Sequence, residues 1–172
     1  MARNIEIKAR IDSVATLVER ASAWADEGPV FIEQDDTFFN CDQGRLKLRS
    51  FSPHEGELIF YRRADVAGPK ASFYLRTPTA SPDALRQTLA LAYGEIGRVR
   101  KHRSLFLVGR TRVHLDQVQD LGSFLELEVV LAEDEADEAG EAEARDLMQR
   151  LGIEPDQLVE GAYLDLLAVA HA

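Results

Sequence analysis

In six stretches of this chain, apolar and charged residues alternate with a period of two: "NIEIKAR" (4–10), "GRLKLRS" (44–50), "ELIFYRR" (57–63), "RVRKHRS" (98–104), "RTRVHLD" (110–116) and "FLELEVV" (124–130). That period belongs to a β-strand, whose successive side chains point to opposite faces. Each stretch therefore has two faces, and in 4–10, 44–50, 110–116 and 124–130 one is mainly apolar and the other mainly charged. Ile5, Ile7 and Ala9 oppose Glu6, Lys8 and Arg10, and Leu46 and Leu48 oppose Arg45, Lys47 and Arg49. Ile59, Tyr61 and Arg63 share a face, as do Val99, Lys101 and Arg103, and Arg112, His114 and Asp116. Glu126 and Glu128 lie opposite Leu125, Leu127 and Val129.

The rest of the chain supplies two more strands and four helices. Asp12 or Ser13 can cap a helix over 14–25, with Val14, Leu17, Val18, Ala21 and Trp24 on one stripe and Gly28-Pro29 as its stop. Strands follow at 30–39, 45–51, 57–65 and 71–77, the second and third joined by "SPHEG" as a hairpin. Ser81-Pro82 opens a helix over 83–93. Strands at 96–109, 110–118 and 123–132 precede helices expected over 138–151 and 156–169. Short links between consecutive strands favour antiparallel pairing. Eight such strands can close into a barrel wide enough for a small ligand. The expected class is α+β: a closed, antiparallel eight-stranded barrel with flanking helices, in a single domain over 1–172.

Charge is unevenly spread. The net charge of −10 argues against general nucleic-acid binding. Yet "RVRKHRSLFLVGRTR" (98–112) holds six Lys or Arg and no acid, whereas "EDEADEAGEAEARD" (133–146) holds eight acids and one base. The acidic run suits a solvated loop and a helix N-terminus. No apolar run approaches the roughly 20 residues of a membrane helix, and no signal-peptide core is visible, so a cytoplasmic protein without membrane contact is expected. The single cysteine, Cys41, excludes an internal disulfide and a cysteine metal cluster.

Spacing alone favours the ordinary reading of the charged faces, a wet outer side of an antiparallel sheet. Composition offers another. Bases dominate on several strands and the acids gather on "NIEIK", "HLD" and "LELE". Converging Arg and Lys can neutralise a polyanion such as a triphosphate, and nearby carboxylates suit Mg²⁺ or Mn²⁺. The glycine-rich phosphate loop G-x-x-x-x-G-K-[ST] is absent.

These stretches, with "QDDTFF", "RVHLDQVQDLGSFLELE" and the late "AYLDLL", resemble the CYTH family of triphosphate tunnel metalloenzymes nearly end to end. "HLDxVxxLGxFxELE" is most similar to its CyaB-like, class IV adenylate cyclase branch. The resemblance implies that the charged faces point into a central tunnel. It also implies that Glu6 and Lys8 match the second glutamate and the lysine of an E-x-E-x-K signature. Lys8, Lys47, Arg49, Arg63, Lys101 and Arg103 would then bind the triphosphate, with Arg112 on the same wall. Glu6, Asp116, Glu126 and Glu128 would bind Mg²⁺ or Mn²⁺, and Lys8 is the candidate catalytic base. The sequence departs from the family at Asn4, which stands where the signature has its first glutamate.

The implied function is a divalent-metal-dependent enzyme hydrolysing an inorganic, nucleoside or thiamine triphosphate. The alternative is a class IV adenylate cyclase converting ATP to cyclic AMP and pyrophosphate. A non-catalytic polyphosphate-binding module and a barrel with external charges are further readings. A homodimer is compatible with the sequence, which marks no interface.

Overall fold

The structure, a computed structural model, describes residues 2–171. Eight strands, β1 (Ala2–Arg10), β2 (Glu27–Phe39), β3 (Arg45–Ser52), β4 (Glu55–Arg63), β5 (Lys70–Thr79), β6 (Glu95–Val108), β7 (Thr111–Val118) and β8 (Gly122–Val130), form the sheet. They pair antiparallel in the order β1-β5-β4-β3-β2-β6-β7-β8, and β8 returns to β1. The ring is closed, as the alternating pattern implied.

Closure sorts the two faces of each strand between lumen and exterior. On β1, Ile5, Ile7 and Ala9 point outward and are fully buried, while Asn4, Glu6 and Lys8 line the lumen. The main apolar core therefore lies outside the barrel. Ile5, Ile7, Val113, Leu115, Leu125, Leu127 and Val129 are covered by α1 (Val14–Trp24) and α3 (Asp137–Arg150) through Leu17, Ala21, Ala144 and Leu147. A smaller core joins Phe39 and Leu48 to Leu89 of α2 (Pro82–Tyr93). A strand with one charged and one apolar face can bury both only if the charges pair inside and helices cover the outside. The acidic segment contributes to this packing: Glu135 and Glu143 both pair with Arg110, and Glu143 also accepts from the Thr111 hydroxyl.

Two expectations are corrected. β2 begins at Glu27 rather than Val30, because its register against β6 shifts between Glu27 and Val30 and the Gly28-Pro29 step fits at that irregularity. Gly28 (φ 110°) passes so close to β6 that a Cβ would meet the Leu105 carbonyl oxygen at 2.6 Å. The helix expected over 156–169 is broken. A 3-10 turn at Pro155–Gln157 gives way to an extended piece, and α4 starts only at Tyr163 and ends at Ala170. The break is tied down on β1: Leu158 bridges Ala9, and the Val159 N–H donates to the Lys8 carbonyl. Gly161, at φ 78°, then turns the chain into the barrel end.

There Tyr163 packs edge-on against Phe124, with ring centroids 5.0 Å apart. Phe38, Ile59, Tyr61, Val99 and Val118 complete this cluster. The barrel is thus stoppered at one end. Toward the other end the lining side chains Ile32, Phe51, Leu105 and Arg76 are half-buried or exposed.

Candidate active site

The residues facing the lumen enclose one cavity lined by eight bases and five acids. A net positive lining in a protein of net charge −10 favours an anionic occupant. Two of its parts repeat the same construction. On β3, Lys47 and Arg49 are two residues apart and both donate to Asp36 of β2: Lys47 Nζ at 2.9 Å, Arg49 Nε and Nη2 at 2.8 Å each. On β6, Lys101 and Arg103 are likewise two apart and converge on Asp116 of β7, at 2.9 Å from Lys101 and at 2.7 and 2.8 Å from Arg103. Each aspartate holds a guanidinium by two parallel bonds and a lysine by one, which fixes both cations toward the lumen.

On the facing wall, Lys8 Nζ lies 3.2 Å from Glu126 Oε1, and Arg63 donates to Glu6 at 2.9 Å. Lys8 and Arg63 also share one acceptor, the Gly161 carbonyl, at 3.2 and 3.0 Å. The Lys8 ammonium sits 4.0 Å from the centre of the Tyr163 ring and that of Lys101 4.7 Å, so one phenol ring contacts two cations. Arg112 donates to Glu128 at 2.8 Å.

Burial and crowding perturb the titrations. Desolvation, aided by Arg63 and Lys101, lowers the Lys8 ammonium to about 8 despite Glu126. Lys47 falls to about 8 through burial and the neighbouring Arg49. Asp36 and Asp116 move the other way: against the cost of burial, their arginine and lysine partners hold both carboxyls well below the ordinary range. Glu6 is raised, by burial and then by repulsion from Glu128.

That repulsion marks a place for a cation. His114, Glu126 and Glu128 offer ligand atoms all within 4.8 Å of one another, and Glu6 is paired with Glu128 across the β1–β8 ladder. Burial and Arg103 lower the His114 imidazole, which favours its neutral, ligating form. Its Nδ1 is buried without a hydrogen-bond partner, as is Oδ1 of Asn4, one inward position from Glu6. Two buried polar atoms without partners beside three carboxylates fit an oxygen- and nitrogen-liganded divalent ion.

Glu6, Lys8, Lys47, Arg49, Arg63, Lys101, Arg103, Arg112, Glu126 and Glu128 all line this one cavity. Asp116 is close by but fully buried, and it accepts four bonds, the fourth from the Tyr163 hydroxyl at 2.9 Å. Sequence reasoning gave no role to Asp36, His114, Tyr163 or the Gly161 carbonyl. His114 was accessible through strand parity. Tyr163 was not, because it reaches Asp116 from 47 residues away.

The chain belongs to the CYTH family, whose CYTH domain model matches residues 2–163. Its fold is that of the PH1012 protein of Pyrococcus horikoshii (21% identity, 95% of this chain and 98% of that one, TM-score 0.82). A Vibrio parahaemolyticus protein provisionally described as an adenylate cyclase is also similar (22%, 96% and 97%, TM-score 0.77). So is HpAC1 of Hippeastrum, a provisional adenylyl cyclase with a dominant triphosphatase activity (15%, 99% and 95%, TM-score 0.64). No curated protein sequence matches the chain.

Proposed function

We propose that this protein is a divalent-metal-dependent triphosphatase that holds its substrate in the lumen of the barrel. The observation that carries the reading is the convergence of Lys8, Lys47, Arg49, Arg63, Lys101, Arg103 and Arg112 on the same cavity as Glu6, Glu126, Glu128 and His114. Membership of the CYTH family and the dominant triphosphatase activity of the Hippeastrum protein support it.

In this reading the two Lys-x-Arg pairs of β3 and β6 grip the phosphate oxygens, with Arg63 and Arg112 completing the cradle. Glu6, Glu126, Glu128 and His114 would hold Mg²⁺ or Mn²⁺, which would supply positive charge against the negative charge built up during phosphoryl transfer. Asp116, whose oxygens are already committed to Arg103, Lys101 and Tyr163, serves to hold cations in place and is not a ligand. Lys8 is the base: with its ammonium near 8 it is partly neutral at neutral pH and can accept a proton from water. That water adds to the terminal phosphorus and the bond to the bridging oxygen breaks. Inorganic phosphate and the diphosphate are released, and the water's proton resides on Lys8 Nζ.

Product analysis with ATP and tripolyphosphate tests this. Phosphate release that stops with chelator and returns with Mg²⁺ or Mn²⁺ is expected, with turnover reduced at least 100-fold in Glu126→Gln and Glu128→Gln while both stay folded. Cyclic AMP and pyrophosphate as the main products would assign the cyclase reaction instead. Asn4→Glu, which adds a carboxylate beside Glu6, should lower the metal concentration needed for half-maximal rate by several-fold. An unchanged metal curve would place Asn4 outside the ion's reach.

A further inference from the structure

Strands of unequal length and stagger leave stretches of this barrel paired on one side only. Such edges invite another chain unless they are covered or blunted. Residues 7–10 of β1 pair with β8 but not with β5, and Leu158 and Val159 bond along the free side. Residues 97–100 of β6 pair with β2 but not with β7, and α4 lies over them with Leu164 against Gly97. Residues 75–79 of β5 pair with β4 alone among the described residues, and there Arg76 and Pro78 are exposed. A charge and a residue without an N–H make that edge a poor template.

Residues 30–34 of β2 have no comparable protection. They pair with β6, but the β2–β3 ladder ends at Asp35 and Ser50, where β3 continues only against β4. A hollow lined by Glu33, Gln34, Ser50, Phe51 and Ser52 separates the two strands beyond that point. The edge is also apolar. Val30 is 54% exposed and Phe31 77%, and Ile32 is only half-buried. Three successive apolar residues beside unpaired backbone groups form the least guarded edge of the barrel.

We propose that two copies of this chain associate through β2, paired antiparallel about a two-fold axis at Phe31. A two-fold interface must be complementary to itself, and this segment is. The axis sets Phe31 against its own counterpart, Val30 against Ile32 and Pro29 against Glu33. Apolar residues meet apolar ones, and over 29–33 no two like charges face each other, although each copy carries a net charge of −10. Facing positions differ by an even number, so their side chains project from the same face of the joined sheet. Pro29, which cannot donate, falls at the end of the paired segment, where a missing bond costs least. The inference rests on the edge alone and is independent of the triphosphate reading.

Sedimentation velocity over roughly 1 to 100 µM protein tests it. Wild type should become a dimer toward the upper end of that range. Phe31→Lys sets two like charges against each other at the axis and should weaken the dimer at least tenfold. Phe31 points away from the lumen, so this variant should keep the wild-type unfolding midpoint and tripolyphosphate affinity. Cross-linking checks the register in a Cys41→Ser background. Phe31→Cys should form a disulfide-linked dimer on mild oxidation, because facing Cα atoms of an antiparallel pair lie about 4.5–5.5 Å apart. Glu33→Cys should not, since the two copies of that position are roughly 13 Å apart along the strands. A wild type that stays monomeric throughout, or a dimer indifferent to Phe31→Lys, would overturn the proposal. So would a disulfide formed through Glu33→Cys and not through Phe31→Cys.

Discussion

The two Lys-x-Arg clamps have the same parts and different surroundings. Asp36 has three bonds, all from the Lys47 and Arg49 that it positions. Asp116 has those three counterparts and a fourth from Tyr163, and Arg103 reaches further, to Glu126 at 3.1 Å. The side chains of Lys47 and Arg49 are 15% and 11% exposed, against 3% and 6% for Lys101 and Arg103. One clamp is built into the stopper and the carboxylate cluster, and the other is more open to the lumen. The same motif is thus held by more bonds at one position than at the other. What separates them is the number of neighbours that share the aspartate.

The largest effect expected from this contrast is on folding. Asp116→Asn keeps the shape but strands two nearly dry cations, and should destabilise the protein by about 3–5 kcal/mol. Asp36→Asn, whose cations retain some water, should cost about 2 kcal/mol. Denaturant unfolding of both variants checks the order. Equal losses would mean that the two clamps are mechanically equivalent.

A second, intermediate effect separates the clamps by pH. Lys47 carries charge below about 8 and loses it above, so tripolyphosphate affinity should fall as pH rises through that value. Stability of the ligand-free protein should move oppositely. The folded state loses the Lys47 proton near 8, whereas an ordinary lysine keeps it to 10.5, so the cost of burying the charge is relieved between those values. Lys47→Arg keeps the charge at every pH and should remove Lys47's share of the affinity loss, up to about tenfold per pH unit at its steepest. Lys8 supplies a similar loss of its own, so the slope should be reduced, not abolished. A pH profile identical in the variant and the wild type would show that Lys47 makes no charged contact with the ligand.

How far these features were legible depends on their range along the chain. Parity within single strands identified the lumen-facing sides of Glu6 and Lys8, of Lys47 and Arg49, of Lys101 and Arg103, and of Glu126 and Glu128, because a strand's period is fixed by its backbone. It could not show whether those sides faced inward. That is decided by closure, which leaves the apolar sides to α1, α2 and α3. β2 was harder: Phe38 faces the lumen, while Thr37 and Phe39 are buried on the outer side under α2, so both faces of "QDDTFF" look buried and Asp36 does not stand out. The broken C-terminal helix was obscured for a related reason. Local propensity over 156–169 is helical, but Leu158 and Val159 gain more by bonding to β1 than by continuing the turn.

The smallest effect is the most specific test of the contrast, since Tyr163 is what distinguishes the two aspartates. Tyr163→Phe removes one hydrogen bond from Asp116 and leaves the ring over Lys8 and Lys101. Burial, reinforced by Asp116, pushes the phenol well above its ordinary range, so the lost bond is that of a neutral hydroxyl donating to a carboxylate. Its removal should cost about 1–2 kcal/mol, a shift of roughly 2–8 °C in the unfolding midpoint for a chain of this size. Because the hydroxyl acts through Asp116, the loss should vanish when Asp116 is already asparagine, giving a coupling of about 1 kcal/mol or more in the double-mutant cycle. The same cycle against Asp36→Asn should be additive within about 0.5 kcal/mol, since Asp36 has no bond to the stopper. Coupling of similar size in both cycles would mean that α4 braces the whole lumen, and the two clamps would then differ only in their exposure to water.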